Sequence, residues 1–306
     1  MAFLSLVPLS GEKNGFFVEG GLEYSHFSGL DTHVVKPVAL QELIQVKQQE
    51  IEQEYVKTLV ASGDTQPQAE TYRNEHIASF YAYAKSAAER ELLGIPASSK
   101  APYDGNLFGV DLQVGYKQFF GKKKHWGLRY YGLISLQGGG FSQKTGNKYS
   151  TQGPAGNFFY GVGIDALWNF YHNKRSEFGV FVGVAVGGSS WTFGAGKAND
   201  VCQTRATSGD CVSMNDYYGN LTSANDGNVS RASFSPTFVQ FLVNVGFRTN
   251  FTRHQGFEVG VRIPTIDDPY FKIAYTEMGP WGNEGTWKNL TFRRDVAIYA
   301  NYVYNF

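Results

Sequence analysis

Eight stretches of this chain place an apolar residue at every second position over long runs, the signature of an extended strand with one greasy face. In the first, Phe16, Val18, Leu22 and Tyr24 fall on one side and Glu19, Gly21, Glu23 and Ser25 on the other. The same alternation recurs over Phe108–Tyr116, Trp126–Leu136, Tyr160–Phe170, Phe178–Val186, Val239–Phe247, Phe257–Ile263 and Val296–Phe306. Soluble sandwiches also alternate, but their strands average roughly 5–6 residues, whereas a tilted strand needs about 9–11 to cross a bilayer. The connections differ by turns: Gly121–Lys124, His172–Ser176 and Thr252–Gly256 are tight and basic, and the others are long, as in outer-membrane barrels. Aromatics gather at strand ends, as in Phe119-Phe120, Trp168 to Tyr171 and Tyr302 to Phe306, where an interfacial girdle would lie. These features predict an all-β membrane protein, an eight-stranded antiparallel transmembrane β-barrel.

Composition agrees. Aromatics make up 16% of the 306 residues and there are 36 Gly, a mix that favours tightly packed β structure. A mean hydropathy of -0.29 excludes a bundle of apolar spanning helices, yet it suits strands that need grease on one face only. The 27 basic residues balance the 27 acidic ones, so no nucleic-acid partner is expected. Outer-membrane lipid is the expected surroundings, with the long loops at the cell surface.

The alternation assigns the expected organisation. Residues 1–11, beginning MAFLSLVPLS, read as the apolar part of a clipped secretory signal without its positive start, with the mature chain from about Glu12, the alternative being a strand of the mature protein. Residues 12–28 hold the first barrel strand, residues 29–104 an inserted domain, and residues 105–306 the other seven strands. The insertion reads as two amphipathic helices in antiparallel contact, one carrying Leu40, Ile44, Ile51, Tyr55 and Leu59 and the other Tyr72, His76, Phe80, Ala84, Ala87 and Leu92. It either caps the barrel mouth or binds something.

Cys202 and Cys211 stand nine residues apart in a polar loop, without the Cys or His cluster of a metal site. In an oxidising compartment they pair as a disulfide, and in a reducing one they would be free thiols. On the inward face the alternation collects Glu19, Glu23, Asp111, Asp165, Glu258 and Asp295 against Lys117, Arg129, Arg248 and Arg262. A barrel of about eight strands is just filled by its side chains, so these form an interior salt-bridge network, the alternative being a charged lining for ions. An extra strand near Tyr270 would make room for a pore.

The C-terminal run FRRDVAIYANYVYNF, residues 292–306, ends in Phe with aromatics two apart. Together with NGFFVEGGLEYS (14–25), VGYKQFFGKKKHWGLRYYGLIS (114–135), EFGVFVGVAVGGSSW (177–191) and GFEVGVRIPTI (256–266), it resembles the Helicobacter outer membrane protein family, the Hop and related porins and adhesins. The resemblance implies one N-terminal strand, an outer domain inserted after it and seven strands closing the barrel. In the family's adhesins a much longer insertion carries receptor recognition. The terminal Tyr302, Tyr304 and Phe306 match the pattern read by the barrel insertion machinery.

No enzyme and no cofactor are expected. His26 beside Ser25, with Asp267-Asp268 at the same end, is the one constellation that nucleophilic chemistry could use, and chance pairing explains it better. The glycine-rich GVGID (161–165) and FGAGKA (193–198) lack phosphate-loop spacing. Tyr270, Trp281 and Trp287 are contact residues or part of an aromatic girdle. The expected function is a surface protein that is structural or contacts a host-cell receptor through its insertion and loops, with a small porin as the alternative.

Overall fold

The structure is a computed structural model that describes residues 14–34, 40–94, 98–121, 124–145, 149–172, 176–223, 230–275 and 287–306. The expected signal remnant, residues 1–11, and Trp281 lie outside them. In chain order the elements are β1 (Gly15–Val34), α1 (Leu40–Ala61), α2 (Gln66–Glu75), α3 (Ile77–Gly94), β2 (Ser99–Phe120), β3 (Trp126–Thr145), β4 (Tyr149–His172), β5 (Glu177–Phe193), β6 (Lys197–Ala198), β7 (Val201–Cys202), α4 (Met214–Ser223), β8 (Ser230–Phe234), β9 (Thr237–Asn250), β10 (Gln255–Pro264), β11 (Asp268–Tyr275) and β12 (Trp287–Asn305). Among the described residues no helix is long and apolar enough to cross a membrane.

Strands β1, β2, β3, β4, β5, β9, β10 and β12 pair antiparallel in that order, and β12 pairs back onto β1 from Phe17–Asn305 to Val34–Trp287, closing an eight-stranded barrel. Closure leaves no open edge along the apolar band of the ring, as a lipid-exposed sheet requires. Strands β8 and β11 prolong β9 and β10 past short breaks and pair with each other, and β11 also pairs with β12. The segment around Tyr270 is therefore an extension of an existing strand and adds none to the ring. Strand β1 continues to Val34 and β2 starts at Ser99, beyond the boundaries at 28 and 105 expected from the alternation. Their ladder holds in polar sequence because β1 has a neighbour on each side as far as its end.

The two faces of the wall are chemically opposite. Phe16, Leu22, Phe108, Val110, Ile134, Val162, Val182, Phe247 and Ile298 project outward, each between 49% and 69% exposed. Most of the alternate residues between such positions are buried in the lumen, the main exceptions being glycines such as Gly21, Gly109 and Gly163. There several large rings face a glycine directly across the ladder: Tyr131 opposite Gly163, Tyr299 opposite Gly260, Phe181 opposite Gly246 and Phe27 opposite Gly105. A Cβ on Gly260 would come within 2.6 Å of the Tyr299 ring, and one on Gly163 would strike the Tyr131 ring. The lumen is thus packed by pairing the largest side chains with the smallest.

The insertion is a helical hairpin in which α1 packs on α3, but its second arm is two helices. Gly63, at φ +114°, ends the first arm, and Thr65 with Gln68 forms a capping box that starts α2. The chain breaks again at His76, the C-cap of α2. Leu43, Ile44, Ala84 and Ala88 form its buried centre, and Leu40 and Ala87, expected there, are displaced by the neighbouring Leu43 and Ala88.

Replacing Gly260 by Val should destabilise the barrel by about 1–3 kcal/mol through overpacking against Tyr299. The midpoint of urea unfolding reads this, and a variant as stable as the parent would show the space beside Tyr299 to be slack.

Candidate functional site

Among the described residues the middle of the lumen holds five carboxylates, Glu19, Glu23, Asp111, Asp165 and Glu258, and five cations, Lys117, Arg129, Arg248, Arg262 and Arg294, none more than 4% exposed, while Glu177, also buried, accepts from Asn250 at 3.4 Å at the turn end. They divide into two clusters, each formally neutral. Nearer the turns, Arg129 reaches Glu19 at 3.2 Å, Glu258 at 2.6 Å and Asp165 at 2.5 Å, while Lys117 and Arg248 lie 3.9 and 3.5 Å from Glu258. Tyr131 donates to Asp165 at 3.1 Å and accepts from Asn244 at 2.6 Å. Nearer the loops, Arg262 bonds Asp111 at 2.5 Å and Glu23 at 3.2 Å, and Arg294 approaches Glu23 at 3.5 Å. Ser135 also donates to Glu23, and the Arg262 guanidinium lies 3.8 Å from the centre of the Tyr299 ring.

Asp295, expected in this network, lies outside it, and Arg294 takes the inward place. A β-bulge is the cause: His26 pairs with Val296 but Phe27 pairs with Arg294, so Asp295 is the extra residue and the alternation of β12 slips by one beyond it. Outside, Asp295 accepts from Ser28 at 2.8 Å and faces a His26 ring nitrogen at 2.9 Å, and the other ring nitrogen lies 3.0 Å from Asp104. Ser25 and His26, adjacent on one strand, point to opposite faces of the wall, so the hydroxyl is inside and the imidazole outside. Asp267 meets Arg293 at 3.1 Å, also away from Ser25. Sequence neighbours therefore do not assemble into a nucleophile with its base. Likewise Gly163 of the GVGID run makes room for Tyr131.

At the loop end the lumen closes under a layer of rings. Phe27, Tyr103, Phe141, Trp191, Phe193, Tyr218, Tyr270 and Phe292 are all at most 5% exposed. Trp191 and Phe193 stack at 5.5 Å, and Phe193 meets Phe292 at 4.3 Å. Tyr270, read from sequence as a contact or girdle residue, is wholly buried here, while Trp287 is 40% exposed. The β5–β9 ladder ends at Ser190–Thr237. Above it Asn215 on α4 takes the place of a strand: its side chain accepts from the Phe193 amide at 2.7 Å and the Tyr270 hydroxyl at 2.9 Å, and donates to the Trp191 carbonyl at 3.1 Å. The same helix lays Met214 and Tyr218 onto the rings. Sequence reading missed α4, although Ser213 and Asp216 form the Ser-x-x-Asp start of a helix, with the Asp216 amide donating to Ser213 at 3.0 Å. Cys202 and Cys211 form a disulfide (S–S 2.03 Å) in the loop before it.

Asp268 stands inside this layer, 1% exposed, opposite Phe292 in the ladder, and neither of its carboxylate oxygens has a partner among the described residues. Burial pushes its carboxyl from 3.8 up to about 7.

Two outcomes are expected. Arg129→Met takes the shared cation from three buried carboxylates, of which only Glu258 keeps others, and should cost about 3–5 kcal/mol, whereas Asp295→Ala removes half-buried contacts on the outer side and should cost at most about 1 kcal/mol. Urea unfolding that ranked them the other way would refute the assignment of inside and outside. In the window from 3.8 to about 7 the folded protein keeps a proton on Asp268 that the unfolded chain has released, so the layer should lose stability as pH rises through it and level off above. Hydrogen-exchange protection factors at Tyr270–Tyr275, which remove the intrinsic pH dependence of exchange, should fall over that window in the parent and stay flat in Asp268→Asn.

Among solved structures the chain is similar to the crystal structure of the outer membrane protein OprG from Pseudomonas aeruginosa, with 11% identity, 97% of this chain and 98% of that chain covered, and a TM-score of 0.42. No curated protein matches it. The family model described as Helicobacter outer membrane protein matches residues 111–306, well over half of the sequence and every barrel strand after β2. The chain belongs to the Helicobacter outer membrane protein family.

Proposed function

We propose that this outer-membrane barrel is a closed anchor whose loop end faces outward and presents the helical hairpin and the disulfide-bonded loop, for contact with host cells or a structural role at the surface. The observation that carries this reading is the occluded lumen: two neutral ion clusters stacked beneath a layer of packed rings leave the charges to neutralise each other instead of an ion in transit. The hairpin packs chiefly on itself and holds a polar cleft of about 690 Å³ between α1 and α2, lined by Gln49, Gln53, Gln66 and Arg73 among others, a size suited to a ligand. Tyr81 and Tyr83 on α3 are 44% and 61% exposed, the kind of ring that anchors interfaces. For delivery to the membrane, Tyr302, Tyr304 and Phe306 stand on the outward face of the last strand, where the insertion machinery could read them.

A small porin is the second reading. Its support is a set of lumen atoms without partners among the described residues, including Glu19 Oε1, Asp111 Oδ1 and Asn301 Oδ1, which water would satisfy.

Refolded protein in a planar bilayer should give no stable single-channel step, and cells displaying the protein should lose host-cell binding when residues 35–97 are deleted. A reproducible conductance step, or binding indifferent to the deletion, would overturn the adhesive reading, the first in favour of the porin.

A further inference from the structure

The turn end of the barrel carries an apolar groove on its lipid-facing side. Phe170, Phe178, Phe247 and Phe257, from β4, β5, β9 and β10, are 53%, 44%, 69% and 40% exposed and enclose a space of about 210 Å³. Its origin is local. Thr249 pairs with Phe178 on one side and Phe257 on the other, so a short side chain sits between two rings. Beside it the β4–β5 register shifts between Asn169 and Tyr171, which leaves Phe170 unpaired at the edge of the gap.

Charge lies at the open end of this groove. Arg253 occupies the turn from β9 to β10, which is closed by the Phe251 amide donating to the Gln255 carbonyl at 3.1 Å. It is exposed and four residues from both Thr249 and Phe257, and because the turn is bent it lies within the roughly 13 Å that four extended residues would span. By sequence the three tight connections 121–125, 172–176 and 252–256 hold six Lys or Arg and no Asp or Glu, in a chain whose total charge is zero. Positive charge is therefore gathered at this end, next to a slot for hydrocarbon.

We infer that this groove seats one glycerophospholipid with an anionic headgroup, an acyl chain lying among the four Phe rings and the phosphate taken by Arg253. The orientation proposed above would make it a lipid of the inner leaflet, but binding itself does not depend on that orientation, and the experiment reads binding alone. Refolded full-length protein in detergent is offered phosphatidylglycerol and phosphatidylcholine with identical chains, and retained lipid is measured by native mass spectrometry. The parent should keep phosphatidylglycerol about five-fold over phosphatidylcholine, the worth of one cation at a membrane surface. Arg253→Gln should erase the preference while still retaining lipid, and Thr249→Phe should lose both lipids. Phe247→Ala, which removes a wall without adding bulk, should lower retention of both alike, and heat-modifiable mobility confirms that each variant is folded. Equal retention of the two lipids by the parent, a preference that survives Arg253→Gln, unchanged retention in both groove variants, or displacement by inorganic phosphate would each overturn the assignment.

Discussion

An eight-stranded barrel has a lumen wide enough for side chains and too narrow for bulk water, so charge on its inner wall must be neutralised where it stands. Arg129 carries most of this burden. From β3 it reaches Glu19 on β1, Asp165 on β4 and Glu258 on β10, so one guanidinium ties together strands far apart in the chain. An apolar filling of equal volume could be at least as stabilising. Charged partners add a requirement that grease does not impose: they fit only when several strands are in register together.

The bulge in β12 is the clearest case of that requirement. With uninterrupted alternation the inner wall would hold six acids and four bases. Slipping β12 by one residue ejects Asp295 and brings in Arg294, which turns an excess of negative charge into parity and supplies Glu23 with a second cation. The same slip creates the outward network of His26, Asp104, Asp295 and Arg293.

Above the charges the barrel changes material. Rings from five of the barrel strands, from β11 and from α4 meet over the lumen, and Asn215 completes a wall that the β5–β9 ladder leaves unfinished. The hairpin, by contrast, buries only a thin seam between its own helices and leaves several aromatic and aliphatic side chains in solvent. A tightly closed support carrying a loosely buried appendage is the arrangement on which the proposed display role rests.

The strands, their sidedness, the tight and long connections and nine of the ten expected interior charges were legible in the sequence, because a strand in a membrane wall has a fixed period of two and lipid punishes any polar residue on the wrong side. What escaped was whatever breaks that period or reaches across it. A bulge adds one residue without a mark in composition, so Asp295 and Arg294 exchanged places unseen. Tyr270 looked like a surface aromatic because nothing local says that β11 folds over the lumen, and α4 lies in a polar loop where helix and coil differ little in composition. Local alternation thus determined that this chain is a membrane barrel and which face of most strands looks inward. Only the closed ring decided which charges meet and how the mouth is sealed, because those depend on contacts between residues more than a hundred positions apart, such as Arg129 with Glu19 and Glu258, for which no short stretch of sequence carries the distance.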